Sequence, residues 1–144
     1  MPTKKALSKN KGILDKLWRS VGKEHALCEL CATLPSNERV NYTQLHPHHI
    51  VGRKNKLLKW DLRNRCWLCP THHTMGVPNK CVEQNLGGWF LNWESDNDWM
   101  GKHRPEDKEY LRGKHTVPYT KWTYDELLEI FETLSAFPDS GEFG

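Results

Sequence analysis

The chain has 144 residues, 37% of them hydrophobic and 27% charged, with a net charge of +3 and a mean hydropathy of -0.78. That length favours one domain with a thin apolar core, which a bound metal or cross-link would reinforce. No apolar run is long enough to span a bilayer, and the opening MPTKKALSKNKGIL has lysines but no apolar stretch of the secretory kind.

Residues 1–11 read as a flexible basic arm. Ile13, Leu14, Leu17, Trp18 and Val21 then recur at helical spacing, which predicts an amphipathic helix from Ile13 to about His25. Residues 37–51 contain β-formers, with Val40 and Tyr42 on one face of an expected strand, and Gly52–Lys59 reads as a basic loop. RCWLC, 65–69, predicts a second strand, and Pro70 fits the first turn of a helix carrying THHTM that ends by Pro78. The segment CVEQNLGGWFLNWESD reads as a helix broken at Gly87-Gly88, with Trp89, Phe90 and Trp93 packed after it. Residues 95–121, polar and rich in Pro, Gly and His, are expected to be irregular. Thr123 and Glu126 form a capping-box signature ahead of the stripe Leu127, Ile130, Phe131, Leu134, with Pro138 and Gly141 beyond its end.

Basic charge is concentrated. Residues 1–23 carry seven Lys/Arg against Asp15, and Arg53, Lys54, Lys56, Lys59, Arg63 and Arg65 face a lone Asp61 in their stretch. Such clustering points to a polyanionic partner, against the plainer reading of a solvated lysine-rich surface.

Five cysteines, an odd number without an export signal, argue against a disulfide framework and for thiolates serving a metal. Cys28-x-x-Cys31 is a knuckle whose two sulfurs can turn to one cation. Its completing pair is either Cys66 and Cys69, giving four cysteines, or Cys69 and His72, giving three cysteines and a histidine. Either set is a closed tetrahedral zinc site that holds structure and does no chemistry. Cys81 is left over and reads as packed.

The histidines carry a different signal. His46, His48 and His49 crowd into HPHHIVGRKN, and WDLRN and LCPTHH follow, with five residues from Asn64 to Cys69. Cys28-x-x-Cys31, His48-His49, Asn64 and Leu68-Cys69-x-x-His72-His73 in this order resemble the zinc-containing HNH endonucleases with their ββα-metal motif. The resemblance covers roughly residues 28–73, and it is closest to phage- and prophage-encoded nucleases, including recombination nucleases of the NinG type. His72 stands where the family has its last zinc cysteine, which favours Cys28, Cys31, Cys69 and His72 as the zinc set.

The resemblance implies roles. His49 matches the general base that activates water, with Asn64 fixing its ring. His48 and His73 match the ligands of a catalytic divalent cation. A phosphodiester needs such a base, a cation on the scissile phosphate and a rigid frame, because its uncatalysed hydrolysis is extremely slow. With imidazole ligands the cation is expected to be Mg²⁺ or one of Mn²⁺, Co²⁺, Ni²⁺ and Zn²⁺. Neighbouring strand residues face opposite ways, so His48 and His49 serve one phosphate only if the strand ends or curls there. A regular strand would make His46 and His48 the alternative metal pair. Arg53, Lys54, Lys56 and Arg63 are expected on DNA phosphates, with Arg53 also steadying the pentacovalent state. Trp60 and Trp67 are expected in the core around the zinc.

The expected whole is α+β: a basic arm over 1–11, a ββα-metal nuclease core over 12–80 with a structural zinc knuckle, and a helical or irregular extension over 81–144 packed on that core, or recruiting a phage or host protein. It reads as a monomeric or dimeric DNA endonuclease of a bacterial cell or infected host cytoplasm, without a membrane role. A non-catalytic zinc module that binds DNA or protein is the alternative.

Overall fold

A computed structural model describes residues 1–39, 41–52, 54–75 and 99–136. Arg53, Pro78, Cys81, the segment around Gly87, Gly88, Trp89, Phe90 and Trp93, and Pro138 and Gly141 lie outside the described residues, and so do the expectations attached to them. The described chain is α+β: six α-helices, three 3-10 turns, one π-helical turn and a two-stranded antiparallel sheet. No helix among the described residues is long and apolar enough to cross a membrane.

The chain divides into two compact units, one of Met1–Ala26 with Pro118–Gly144 and one of Leu27–Val117. This division differs from the boundaries expected at 12, 80 and 81. The N-terminal helix, expected in the nuclease core, belongs instead with the C-terminal helix. The physical reason is that both carry apolar stripes that suit helix-on-helix burial.

In the first unit, α1 (Lys4–Ser8) occupies the expected arm. Thr3 caps it, its side chain accepting from the Ala6 amide at 3.1 Å, and Leu7 is fully buried. A cap and one buried leucine suffice to order residues whose lysines suggested a free arm. Helix α2 (Ile13–Ser20) buries Leu14 and Trp18, one turn apart on one face. It stops short of His25 because Gly22 adopts a left-handed backbone with φ 78°, after which Lys23–His25 forms a 3-10 turn. The C-terminal helix of this unit, Tyr124–Ser135, starts at the expected capping box, with Thr123 and Glu126 bonded reciprocally. It buries Leu127 and Leu134 and packs on α1 and α2.

In the second unit, α3 (Glu29–Thr33) follows the knuckle's first cysteine, β1 is His46–His49 and β2 is Arg65–Leu68. The strands pair antiparallel with His46 opposite Leu68 and His48 opposite Cys66. Thr71–Met75 forms a π-helical turn just after β2. The expected strand around Tyr42 is not formed; the Tyr42 hydroxyl instead accepts the Cys28 amide at 2.9 Å. Its ring packs on a core of Leu30, Ile50, Val51, Leu58, Leu68, Met100 and Leu111.

The stretch expected to be irregular holds two helices, α4 (Trp99–His103) and α5 (Pro105–Lys114), and the remaining helix, Tyr124–Ser135, is α6. Helix α5 has Pro at its start, Glu106 and Asp107 in its first turn and Arg112 and Lys114 in its last, which suits the helix dipole. Its apolar face is little more than Leu111, so hydrophobic periodicity does not reveal it.

Arg104, between α4 and α5, closes the outer edge of β2. Its guanidinium donates to Glu29 at 3.1 Å, to Asp107 at 2.9 Å and to the carbonyls of Arg65 and Arg63 at 2.9 and 3.2 Å. Glu29 accepts the Trp67 amide at 2.7 Å. A two-stranded sheet leaves one row of donors and acceptors open on each strand; here side chains take that row on β2.

Candidate functional site

Two clusters flank the hairpin. The first joins Cys28, Cys31, Cys69 and His72, all buried, with their ligand atoms within 4.8 Å of one another. Cys31 Sγ lies 3.9 Å from Cys69 Sγ, and His72 Nδ1 lies 3.6, 3.4 and 3.3 Å from the sulfurs of Cys28, Cys31 and Cys69. A tetrahedral zinc with ordinary bond lengths needs sulfur–sulfur separations of about 3.8 Å and sulfur–nitrogen separations of about 3.6 Å. The donor set therefore fits a structural zinc, with His72 ligating through Nδ1. Cys66, the other candidate, is buried in the core away from this set, its pKa pushed well up by burial, first of all, and by the nearby Glu29 carboxylate.

Local structure prepares the knuckle. Cys28 caps α3, its sulfur accepting the Cys31 amide at 3.5 Å. Burial raises the Cys28 thiol, but hydrogen bonds from His72 and from backbone amides outweigh it and bring the pKa down to about 7. Burial and the neighbouring sulfurs push Cys69 up to about 12. Three thiolates cannot coexist here without positive charge, and a dication supplies it.

The second cluster is made of imidazoles. His46 and His48 share one face of β1, as strand alternation dictates, and His73 on the π-helical turn meets both. The ring centroid of His73 lies 5.2 Å from that of His46 and 5.1 Å from that of His48, and His46 Nδ1 is 3.1 Å from His73 Nδ1. Burial, then the neighbouring His73 and His49, lowers the His48 pKa to about 4, so its ring is neutral near pH 7 and can act as a ligand.

His49 is the last residue of β1 and alternates away from that face. Its Nε2 lies 2.8 Å from the Lys59 carbonyl oxygen. A carbonyl only accepts, so Nε2 carries the proton and the basic lone pair of the neutral ring is on Nδ1. Asn64 is fully buried and does not reach the His49 ring. It acts on the loop that presents the ring's partner: Oδ1 accepts from the Val51 amide at 2.6 Å, and Nδ2 donates to the carbonyls of Val51 at 2.9 Å and Leu58 at 3.2 Å. Leu58 precedes Lys59, so Asn64 sets where the Lys59 carbonyl lies. Replacing Asn64 by leucine strands an amide and two carbonyls in the interior. The expected cost is about 3 kcal/mol, read as a lowered urea midpoint at unchanged slope.

Of the expected DNA contacts, Lys54 and Lys56 are exposed on the loop after β1. Arg63 is placed differently: its Nε binds Asp107 at 2.8 Å and its guanidinium lies 4.2 Å over the Tyr110 ring. That geometry ties the turn before β2 to α5, so Arg63 has a structural partner that a phosphate must compete with. Trp60 and Trp67 are buried, as expected, with Lys59 and Arg65 stacked on their faces.

Three contributors escape sequence reasoning. Glu29 and Arg104 act across 75 positions, with no local signal joining them. Asn55 shapes the basic loop, its Oδ1 accepting the amides of Leu57 and Leu58 and its Nδ2 donating to the His115 carbonyl. An asparagine after GRK is a recognisable turn residue, so that signal was present.

Comparison with family models, curated proteins and solved structures returns no significant match.

Proposed function

We propose that this chain is a metal-dependent endonuclease of the HNH type, built on a ββα-metal core, that hydrolyses phosphodiester bonds in DNA. The observation that supports it best is the pairing of two unlike donor sets on one hairpin. One is sulfur-rich and closed, suited to a structural zinc; the other is imidazole-only and stands beside a histidine of defined tautomer.

In this reading His48 and His73 hold a catalytic divalent cation, which neutralises charge on the scissile phosphate and the departing 3′ oxygen. His49 takes the proton of the attacking water at Nδ1, while Nε2–H stays on the Lys59 carbonyl and steadies the resulting imidazolium. Asn64 is a positioning residue acting through the 58–59 backbone. His72 and His73 are consecutive, so a zinc gripped by His72 also fixes the turn that presents His73. Lys54 and Lys56, with Arg53, contact flanking phosphates, and binding weakens steeply with salt. The products carry 5′-phosphate and 3′-hydroxyl ends.

A supercoiled plasmid incubated with the protein and Mg²⁺, Mn²⁺ or Ni²⁺ tests this. Conversion to nicked or linear forms by wild type, and little by His49→Ala, supports the enzyme. Tight DNA binding without conversion under every cation supports the non-catalytic zinc module instead.

A further inference from the structure

We infer that His46 is a third imidazole ligand of the catalytic cation, making a His46/His48/His73 site that selects transition-metal dications over Mg²⁺. The cation's catalytic role rests on the nuclease reading; the three-imidazole site itself rests on the geometry of the hairpin.

Strand alternation brings His46 and His48 to one face, and the π-helical turn sets His73 against both. Two nitrogens 3.1 Å apart, each about 2.1 Å from a common ion, subtend an angle of about 95° there, between octahedral and tetrahedral values. Two imidazoles sharing an ion at such angles have ring centres about 4.7–5.2 Å apart. The separations of 5.1 and 5.2 Å match. The rings stand edge to face at 72° and 68°, so each can aim an edge nitrogen at a point the three share.

The donor chemistry sets the preference. Mg²⁺ is a hard ion that favours carboxylate and water oxygens and sheds its waters reluctantly, so three neutral nitrogens serve it poorly. Imidazole suits Zn²⁺, Ni²⁺ and Co²⁺, with Mn²⁺ the weakest of the series. A rival account is a simple hydrogen bond between His46 and His73, in which one Nδ1 donates and the other accepts.

Titration of the zinc-replete protein with Ni²⁺, followed by calorimetry, separates the two. His46→Asn keeps a hydrogen-bonding group near the position of Nδ1 but is a poor ligand. Wild type is expected to take up one Ni²⁺ per chain beyond the structural zinc, and His46→Asn to bind it about 100-fold more weakly. His46→Asp, a carboxylate ligand, is expected to regain affinity for Mn²⁺. In wild type, proton–nitrogen correlation of the histidine rings on adding a second equivalent of Zn²⁺ gives a readout independent of any variant's folding. His46 Nδ1 should move with the ring nitrogens of His48 and His73 to the shift of a metal-bound nitrogen. Equal Ni²⁺ affinity in wild type and His46→Asn, or a His46 Nδ1 shift unchanged by the second equivalent, overturns the proposal. Plasmid nicking scored on the same samples keeps the readings apart: Ni²⁺ uptake that depends on His46 without any nicking retains the three-imidazole site and removes the nuclease.

Discussion

Substituting His49 by alanine lowers plasmid nicking by roughly 10²- to 10⁴-fold, the usual contribution of a positioned general base. The cation alone cannot replace it. Metal binding neutralises charge on the phosphate, but water must still lose a proton as it attacks, and imidazoles as a class accept protons near neutral pH. The Lys59 carbonyl holds the proton on Nε2, so the ring needs no tautomer change before it acts. The variant should keep its fold and both metals, because no ligand of either cluster is altered. Added imidazole should restore part of the rate by entering the vacated space. A His49→Ala protein nicking at the wild-type rate would remove the histidine from the mechanism.

Exhaustive chelation is expected to unfold the 27–117 unit. Binding of a structural zinc contributes on the order of 10 kcal/mol, comparable to the whole stability of a small domain. The Cys28–Cys31 knuckle, β2 and the turn after it meet only at this cluster, which lies within the unit's core. Without the ion, three buried thiols and an imidazole must be desolvated with no cation to bind. The check is near-ultraviolet circular dichroism, which reports the packing of Trp60, Trp67 and Trp99, lost on chelation and regained on adding zinc. Cys69→Ser should abolish zinc retention whereas Cys66→Ser should preserve it, since Cys66 is core and Cys69 is ligand. Unchanged dichroism after complete metal removal would contradict a structural zinc.

What was legible in the sequence was mostly chemistry at close spacing. Cys28-x-x-Cys31 and Cys69-x-x-His72 each place two donors within one turn of backbone, so the pattern carries the geometry almost by itself. The choice of His72 over Cys66 was less accessible, because β2 alternation turns Cys66 into the core and nothing local to RCWLC says so. The capping box at Thr123 was readable for the same local reason.

Distant pairings were not readable. Arg104 satisfies the edge of a strand some 40 residues earlier, a role that emerges only after β2 has paired. Helix α5 is held by such contacts more than by an apolar stripe, so a reading based on hydrophobic period passes over it. The gathering of His46 with His48 and His73 falls between these cases. Alternation along β1 foretold the shared face, but only the π-helical turn brings His73 to it.

The central claim is that one cluster holds a permanent zinc while the other holds an exchangeable cation that cuts DNA. Brief treatment with a weak chelator followed by metal analysis and plasmid nicking tests it in one sample. The treated protein should retain one zinc per chain and no nicking activity, and Mn²⁺ or Ni²⁺ should restore nicking in wild type but not in a His48→Ala/His73→Ala variant. Nicking that survives the treatment, or that the double variant performs as well as wild type, would contradict it.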